Sequence, residues 1–225
     1  MNQNSIKKQQ GFTLVEIAIV LVIVGLILGG VLKGQEMISN AKVRNVVDQT
    51  TAIQTAVFAF QDRFRALPGD YALASTNIAG VATGANGGNG NGNGFVSINN
   101  ERGLFWMHLA NSGYITGNYD GAAAANNLNC AAGRCPRNAF GGAMMFSWGS
   151  GATGSSPNAH ELRFGRSIPV SVLSEIDRKV DDGIPEAGSL RTDNVNIATC
   201  RTGADATSVY NAAGGQQDCA GVRIM

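Results

Sequence analysis

The longest feature of the hydrophobic pattern is at the start of the chain. From Phe12 to Leu32 the residues are almost wholly apolar, broken only by Thr13, Glu16 and three glycines. As a helix rising about 1.5 Å per residue this run spans roughly 31 Å, close to the ~30 Å hydrocarbon thickness of a bilayer. After Lys33 the pattern becomes amphipathic. Val43, Val46, Thr50, Ile53, Val57, Phe60 and Phe64 follow alternating three- and four-residue steps, a single helical stripe. Lys42, Arg44, Asp48, Asp62, Arg63 and Arg65 lie off that stripe, and Leu67-Pro68-Gly69-Asp70 ends the helix. A single helix from about Phe12 to Arg65 is therefore expected, roughly 80 Å long. A coiled coil would use the same stripe, but the sequence beyond it needs a surface on which to bury its own core.

Past residue 67 the elements are shorter. Residues 75–100 are rich in glycine and asparagine, with Gly87-Gly88-Asn89-Gly90-Asn91-Gly92-Asn93-Gly94 at their centre. That composition has little to bury and reads as a flexible loop, assigned to 80–94. No strand precedes it and no helix with a Lys or Thr follows, so it is not a phosphate cradle. Asn100 is placed to cap a short helix from Glu101 to about Asn111, ended by Gly113. Strands are expected at Phe140–Trp148 and Glu161–Phe164. Pro169 suits the first turn of a helix carrying Val172, Leu173, Ile176 and Val180 inward. Asp181-Asp182-Gly183-Ile184-Pro185 is a turn, and a closing strand is expected at Ser189–Arg191. The fold class is α+β, with a small antiparallel sheet laid on the long helix.

Composition narrows the chemistry. The 225 residues include 17 basic and 16 acidic ones, so bulk charge does not argue for nucleic-acid binding. Scattered Arg134, Arg137, Arg163 and Arg166 read as solvated surface, and no specific nucleic-acid partner is expected. No Ser/His/Asp or Cys/His arrangement stands out, and an enzyme is not expected. Lys7 and Lys8 precede the apolar run, which keeps the N-terminus cytoplasmic by the positive-inside rule and places the rest outside the inner membrane. The run is too long for an ordinary secretory signal and lacks an A-x-A-like site. A plain anchor leaves Glu16 unexplained, since a carboxylate within a spanning helix costs on the order of 2.5–3.5 kcal/mol at mid-membrane and less near its end. If the chain were cut after Gly11, the new α-amino group of Phe12 on one subunit could pair with Glu16 of a neighbour and fix their register.

Gly11-Phe12-Thr13-Leu14-Val15-Glu16, after a short basic leader and before an apolar run, resembles the prepilin signature of type IV pilins and type II secretion pseudopilins. The resemblance implies cleavage between Gly11 and Phe12 by a prepilin peptidase, N-methylation of Phe12, and assembly guided by Glu16. It implies self-association with other pilins in a helical filament, and contact with inner-membrane assembly machinery. The location implied is the inner membrane for the precursor, then an extracellular pilus or periplasmic pseudopilus. The domain plan is leader 1–11, spanning half-helix 12–34, amphipathic half-helix 35–66 and pilin-like head 67–225. Many pilins carry a proline near the position of Lys33; here Gly25, Gly29, Gly30 and Gly34 stand instead, and local melting is expected around Gly29 and Gly30. A pseudopilin is the near alternative, and a membrane-tethered monomeric binding domain the distant one.

Four cysteines allow three connectivities. Cys200 and Cys219 bracket a segment resembling the disulfide-bounded loop of many type IV pilins, and Cys130 and Cys135 are close enough to pair locally; these two bridges are expected. Zinc with His108 and His160 is the weaker alternative, because no paired C-x-x-C module is present. Asp181, Asp182 and Asp193 are candidate calcium ligands, prompted by the calcium-bound loop of major pseudopilins. The plainer expectation there is a solvated acidic turn and no cofactor.

Overall fold

The structure, a computed structural model, describes residues 13–81, 85–124, 130–131, 133–152, 158–193, 197–203 and 207–225. The expected leader 1–11, with Gly11 and Phe12, lies outside the described residues, as do parts of the 80–94 loop and of the Cys130–Cys135 segment.

Two units are present, one up to Ala41 and one from Lys42 onward, joined within one continuous helix. This helix, α1 (Leu14–Phe64), runs for 51 residues. In the first unit its apolar side chains are exposed. In the second, the stripe read from the sequence is the buried face: Val43, Val46, Thr50, Ile53, Val57 and Phe60 are all buried, with Ala56 beside them. The partner of the stripe is therefore the protein's own head. Arg65 has a positive φ of 52°, which breaks the helical path, and Gly69 takes φ 88° just beyond Pro68. A Cβ on Gly69 would collide with the Glu101 carbonyl, so this corner needs glycine for space as well as for φ.

A single turn, α2 (Ala74–Asn77), leads through the glycine-asparagine segment to α3 (Asn99–Asn111). The sequence points to Asn100 as the cap. Instead α3 begins two residues earlier, with Ile98 at the cap position, and Glu101 turns back so that its Oε2 accepts the N–H groups of Ser97 (3.0 Å) and Ile98 (3.4 Å). Phe105, Trp106, Leu104 and Leu109 of α3 pack on Ile53, Val57 and Phe60 in one apolar cluster.

Strands β1 (Met145–Gly149) and β2 (Ala159–Arg163) form an antiparallel pair with Phe146 opposite Leu162. The strand expected from Phe140 starts later, because Asn138 fastens a turn there. Its Oδ1 accepts the N–H groups of Phe140 and Gly142, and its Nδ2 donates to the Phe164 and Arg166 carbonyls. Helix α4 (Val170–Val180) starts directly after Pro169 and buries Val172, Leu173 and Ile176. Val43 and Val46 share their cluster with Phe164, Leu173 and Ile176. Strand β3 (Leu190–Thr192) corresponds to the expected closing strand but lies at an edge of the sheet. A turn of helix, α5 (Ile197–Cys200), and the two-stranded ribbon of β4 (Arg201–Thr202) and β5 (Val209–Tyr210) follow. β6 (Gly221–Ile224) then enters between β2 and β3, giving the order β1-β2-β6-β3, all antiparallel. The fold is α+β: a long N-terminal helix with an apolar first half, and a four-stranded antiparallel sheet.

Candidate functional site

The start of α1 is held by its own first residues. The Thr13 N–H donates to Glu16 Oε2 at 2.8 Å, and the Thr13 hydroxyl donates to the same oxygen at 2.8 Å. In return the Glu16 N–H reaches Thr13 Oγ1 at 3.3 Å, and the Ile17 N–H reaches the Thr13 carbonyl at 3.3 Å. This is a reciprocal capping box, which satisfies backbone donors at a helix start and sets a carboxylate against the positive end of the helix dipole. Its signal, Thr-x-x-Glu before an apolar run, stands at Thr13–Glu16, where a reading of Glu16 by charge alone overlooks it. Both Thr13 bonds go to Oε2. Among the described residues Oε1 accepts nothing, so one oxygen of the carboxylate is open to an outside partner.

Around Glu16, from Leu14 to Leu32, the helix offers only hydrocarbon. Leu14, Leu21, Leu26 and Leu32 are each more than 60% exposed, and the apolar stretch contains no buried residue. It ends at an exposed Lys33–Glu36 pair, 2.8 Å apart. So large an uncovered apolar surface is not stable in water and demands lipid or neighbouring helices. In a bilayer, the lone carboxylate near its start is the one group with a specific demand for a cationic partner.

In the head, Cys130–Cys135 and Cys200–Cys219 are disulfides, with Cα separations of 6.2 and 5.9 Å, so the thiolates a zinc site needs are absent. His108 is buried and fully engaged: its Nδ1 accepts the Gly69 N–H (2.9 Å) and its Nε2 lies 2.8 Å from the Gly88 carbonyl, to which it donates. Burial pushes its pKa down to about 4, opposed by the bond to Gly88. His160 is packed between the rings of Trp148 and Phe146.

The acidic candidates fall in two places. Asp193 is buried and pairs with Arg163, 3.4 Å away, in a triad with Glu161. It is not beside Asp181 and Asp182. The carboxylate that joins them is Asp177, with one oxygen from each of the three lying within 4.8 Å of the others. Sequence reasoning misses Asp177 because helical spacing puts it on the buried side of α4, where a carboxylate is unexpected. Tyr210 donates to its Oδ2 at 2.8 Å, and burial raises its pKa to about 6, followed in effect by the Tyr210 bond, which lowers it. Asp181 and Asp182 are partly committed to the turn, accepting the N–H groups of Leu190 and Ile184 at 2.8 Å each. Of the arginines, Arg163 is buried, Arg134 and Arg166 pair with Asp120 and Asp218, and Arg137 bonds the Gly141 carbonyl.

The glycine-asparagine segment differs most from its reading as flexible. Asp70, 3% exposed, accepts the N–H groups of Gly92 (2.8 Å) and Asn93 (3.1 Å) on Oδ1 and of Gly94 (2.7 Å) on Oδ2. A buried carboxylate with three backbone donors is a strong fastening, because charge-assisted bonds are roughly twice as strong as neutral ones.

Residues 6–32 match the family model for the prokaryotic N-terminal methylation motif, the prepilin signature of type IV pilins and pseudopilins. The protein thus bears that signature on a long apolar helix, which fits a membrane-anchored precursor of the pilin or pseudopilin class. No curated protein and no solved structure matches it.

Proposed function

We propose that this protein is a structural subunit, a major or minor pilin, of a type IV pilus-like filament. It is inserted with its N-terminus in the cytoplasm, cut between Gly11 and Phe12, methylated on Phe12 and polymerised through α1. The observation that carries this reading is the uncovered apolar first half of α1 with the single carboxylate of Glu16 near its start. Lipid can cover that surface in the precursor, and the helices of other subunits can cover it in a filament. Cleavage removes Lys7 and Lys8, takes the formal charge of the side groups from +1 to −1, and creates the amine that Glu16 Oε1 can meet on a neighbour. The capping box supports this division of labour, since Oε2 keeps the helix start formed while Oε1 stays open to a partner.

Two measurements test the reading. Mass spectrometry of the mature protein is expected to find methylated Phe12 at its N-terminus, and an intact Met1 would overturn processing. Glu16→Ala is expected to leave the protein in the membrane and remove it from sheared surface filaments. Unchanged filament levels would refute the assembly role of Glu16.

A further inference from the structure

The filament reading leaves the asparagine-glycine run without a task, and the chemistry of such a run is hazardous. In an Asn-Gly step the glycine nitrogen can attack the carbonyl carbon of the asparagine amide. A bond forms between that nitrogen and that carbon, the bond from the carbon to the amide NH2 group breaks, and ammonia leaves with a proton. Water then opens the resulting succinimide to aspartate or isoaspartate. The net change is one amide plus water giving one acid plus ammonia, with no oxidant or reductant. Glycine is the most permissive successor because it has no Cβ to hinder the approach. Attack also requires the glycine N–H to give up its proton and its hydrogen bond.

The segment has four such steps, of which the last three stand in series after Asn86-Gly87: Asn89-Gly90, Asn91-Gly92 and Asn93-Gly94. Every one of the three attacking nitrogens is held. The Gly90 N–H donates to the Tyr71 carbonyl at 3.0 Å. The Gly92 N–H is shared between the Asp70 carbonyl (2.9 Å) and Asp70 Oδ1 (2.8 Å), and the Gly94 N–H donates to Asp70 Oδ2 at 2.7 Å. The electrophilic ends are tied as well. Asn89 Oδ1 accepts the Ser75 N–H (2.8 Å), Asn91 Oδ1 the Asn93 N–H (2.9 Å) and Asn93 Oδ1 the Phe95 N–H (2.9 Å). A buried anion facing an amide N–H opposes its loss of a proton, because a second negative charge would form beside the first. There is no room to reposition Gly90 either, since a Cβ there would overlap the Asp70 backbone.

We propose that Asn91 and Asn93 are latent deamidation sites and that the Asp70 carboxylate keeps them unreacted in the folded head. Reaction at either puts a new carboxylate into a site already built around Asp70, so one conversion loosens the loop and exposes the next step.

The full-length protein in detergent, incubated at mildly alkaline pH, tests this by peptide mass mapping and by enzymatic methylation of isoaspartate. In the native wild type, Asn91 and Asn93 are expected to convert roughly ten- to a hundred-fold more slowly than in the same protein unfolded in urea, the factor one charge-assisted hydrogen bond supplies. Asp70→Asn, which keeps the size and removes the charge, is expected to recover most of that rate at these two residues. Equal rates in native and unfolded wild type overturn the proposal without any variant. So does a folded Asp70→Asn, shown by an unchanged near-UV circular dichroism spectrum, that converts no faster than wild type.

Discussion

Two buried titratable side chains respond to pH in opposite directions. His108 is neutral in the fold, with a pKa of about 4 against 6.5 when exposed. Its contribution to stability is complete above pH 6.5 and is lost as pH falls towards 4, because the unfolded state takes up the proton first. Asp177 has its folded pKa raised to about 6 from 3.8, so its contribution is complete below 3.8 and is lost as pH rises through 6. Tyr210, Asp181 and Asp182 face it; the tyrosine hydroxyl and the Gly183 backbone N–H donate to it, while the two aspartates oppose its charge. Asp177→Asn keeps an acceptor for Tyr210 and removes the charge. We expect its urea midpoint to equal that of the wild type near pH 3.5 and to exceed it increasingly between about pH 4 and 7. A constant offset across that range would mean that Asp177 ionises at the same pH in the folded and unfolded states.

At the scale of elements, α1 is the most legible part of the sequence and the sheet the least. The stripe from Val43 to Phe60 repeats often enough to fix both the helix and its buried face. Phe60 is fully buried, with the rings of Phe64, Tyr71, His108 and Tyr114 around it. Phe60→Ala is expected to cost the head about 3–5 kcal/mol, measured by denaturant unfolding, while Phe58→Ala on the exposed face should cost little. The strands of the sheet are at most five residues long, too short for a period of two to declare itself. β6 is illegible in the sequence for that reason. The Asp70 fastening and the Asp177 cluster are invisible for another: each depends on tertiary contacts, and the local composition points to a mobile loop and a solvated turn. At the candidate assembly site, Glu16 stands out as a charge in an apolar run, while its bond to Thr13 is written in a four-residue spacing that the charge eclipses.

Across the whole molecule, the head is closed by links between distant segments. Cys200 ends α5, and Cys219 lies beside Ile168, with which it exchanges backbone hydrogen bonds. The bridge closes a separation of 19 residues. Replacing both cysteines by serine is expected to lower stability by roughly 3 kcal/mol in the chain-entropy model, read as a shift in denaturant midpoint with unchanged slope. The buried Arg201–Glu186 pair and the Arg163 triad tie β4 and β2 to neighbouring loops in the same way.

The central place of β6 also sets the order of events during biosynthesis. In the proposed topology the N-terminus stays in the cytoplasm and the head follows the anchor across the membrane in chain order, so the β1–β2 hairpin can form as soon as Arg163 has emerged. β3 then waits with no strand beside it until Gly221–Ile224 has been exported. During that interval β2 and β3 each present an unpaired edge, the condition that invites capture by a chaperone or a misdirected neighbour. A secretion-arrested polypeptide stopped before residue 221 should therefore be sensitive to protease in its head while its anchor is already seated in the membrane.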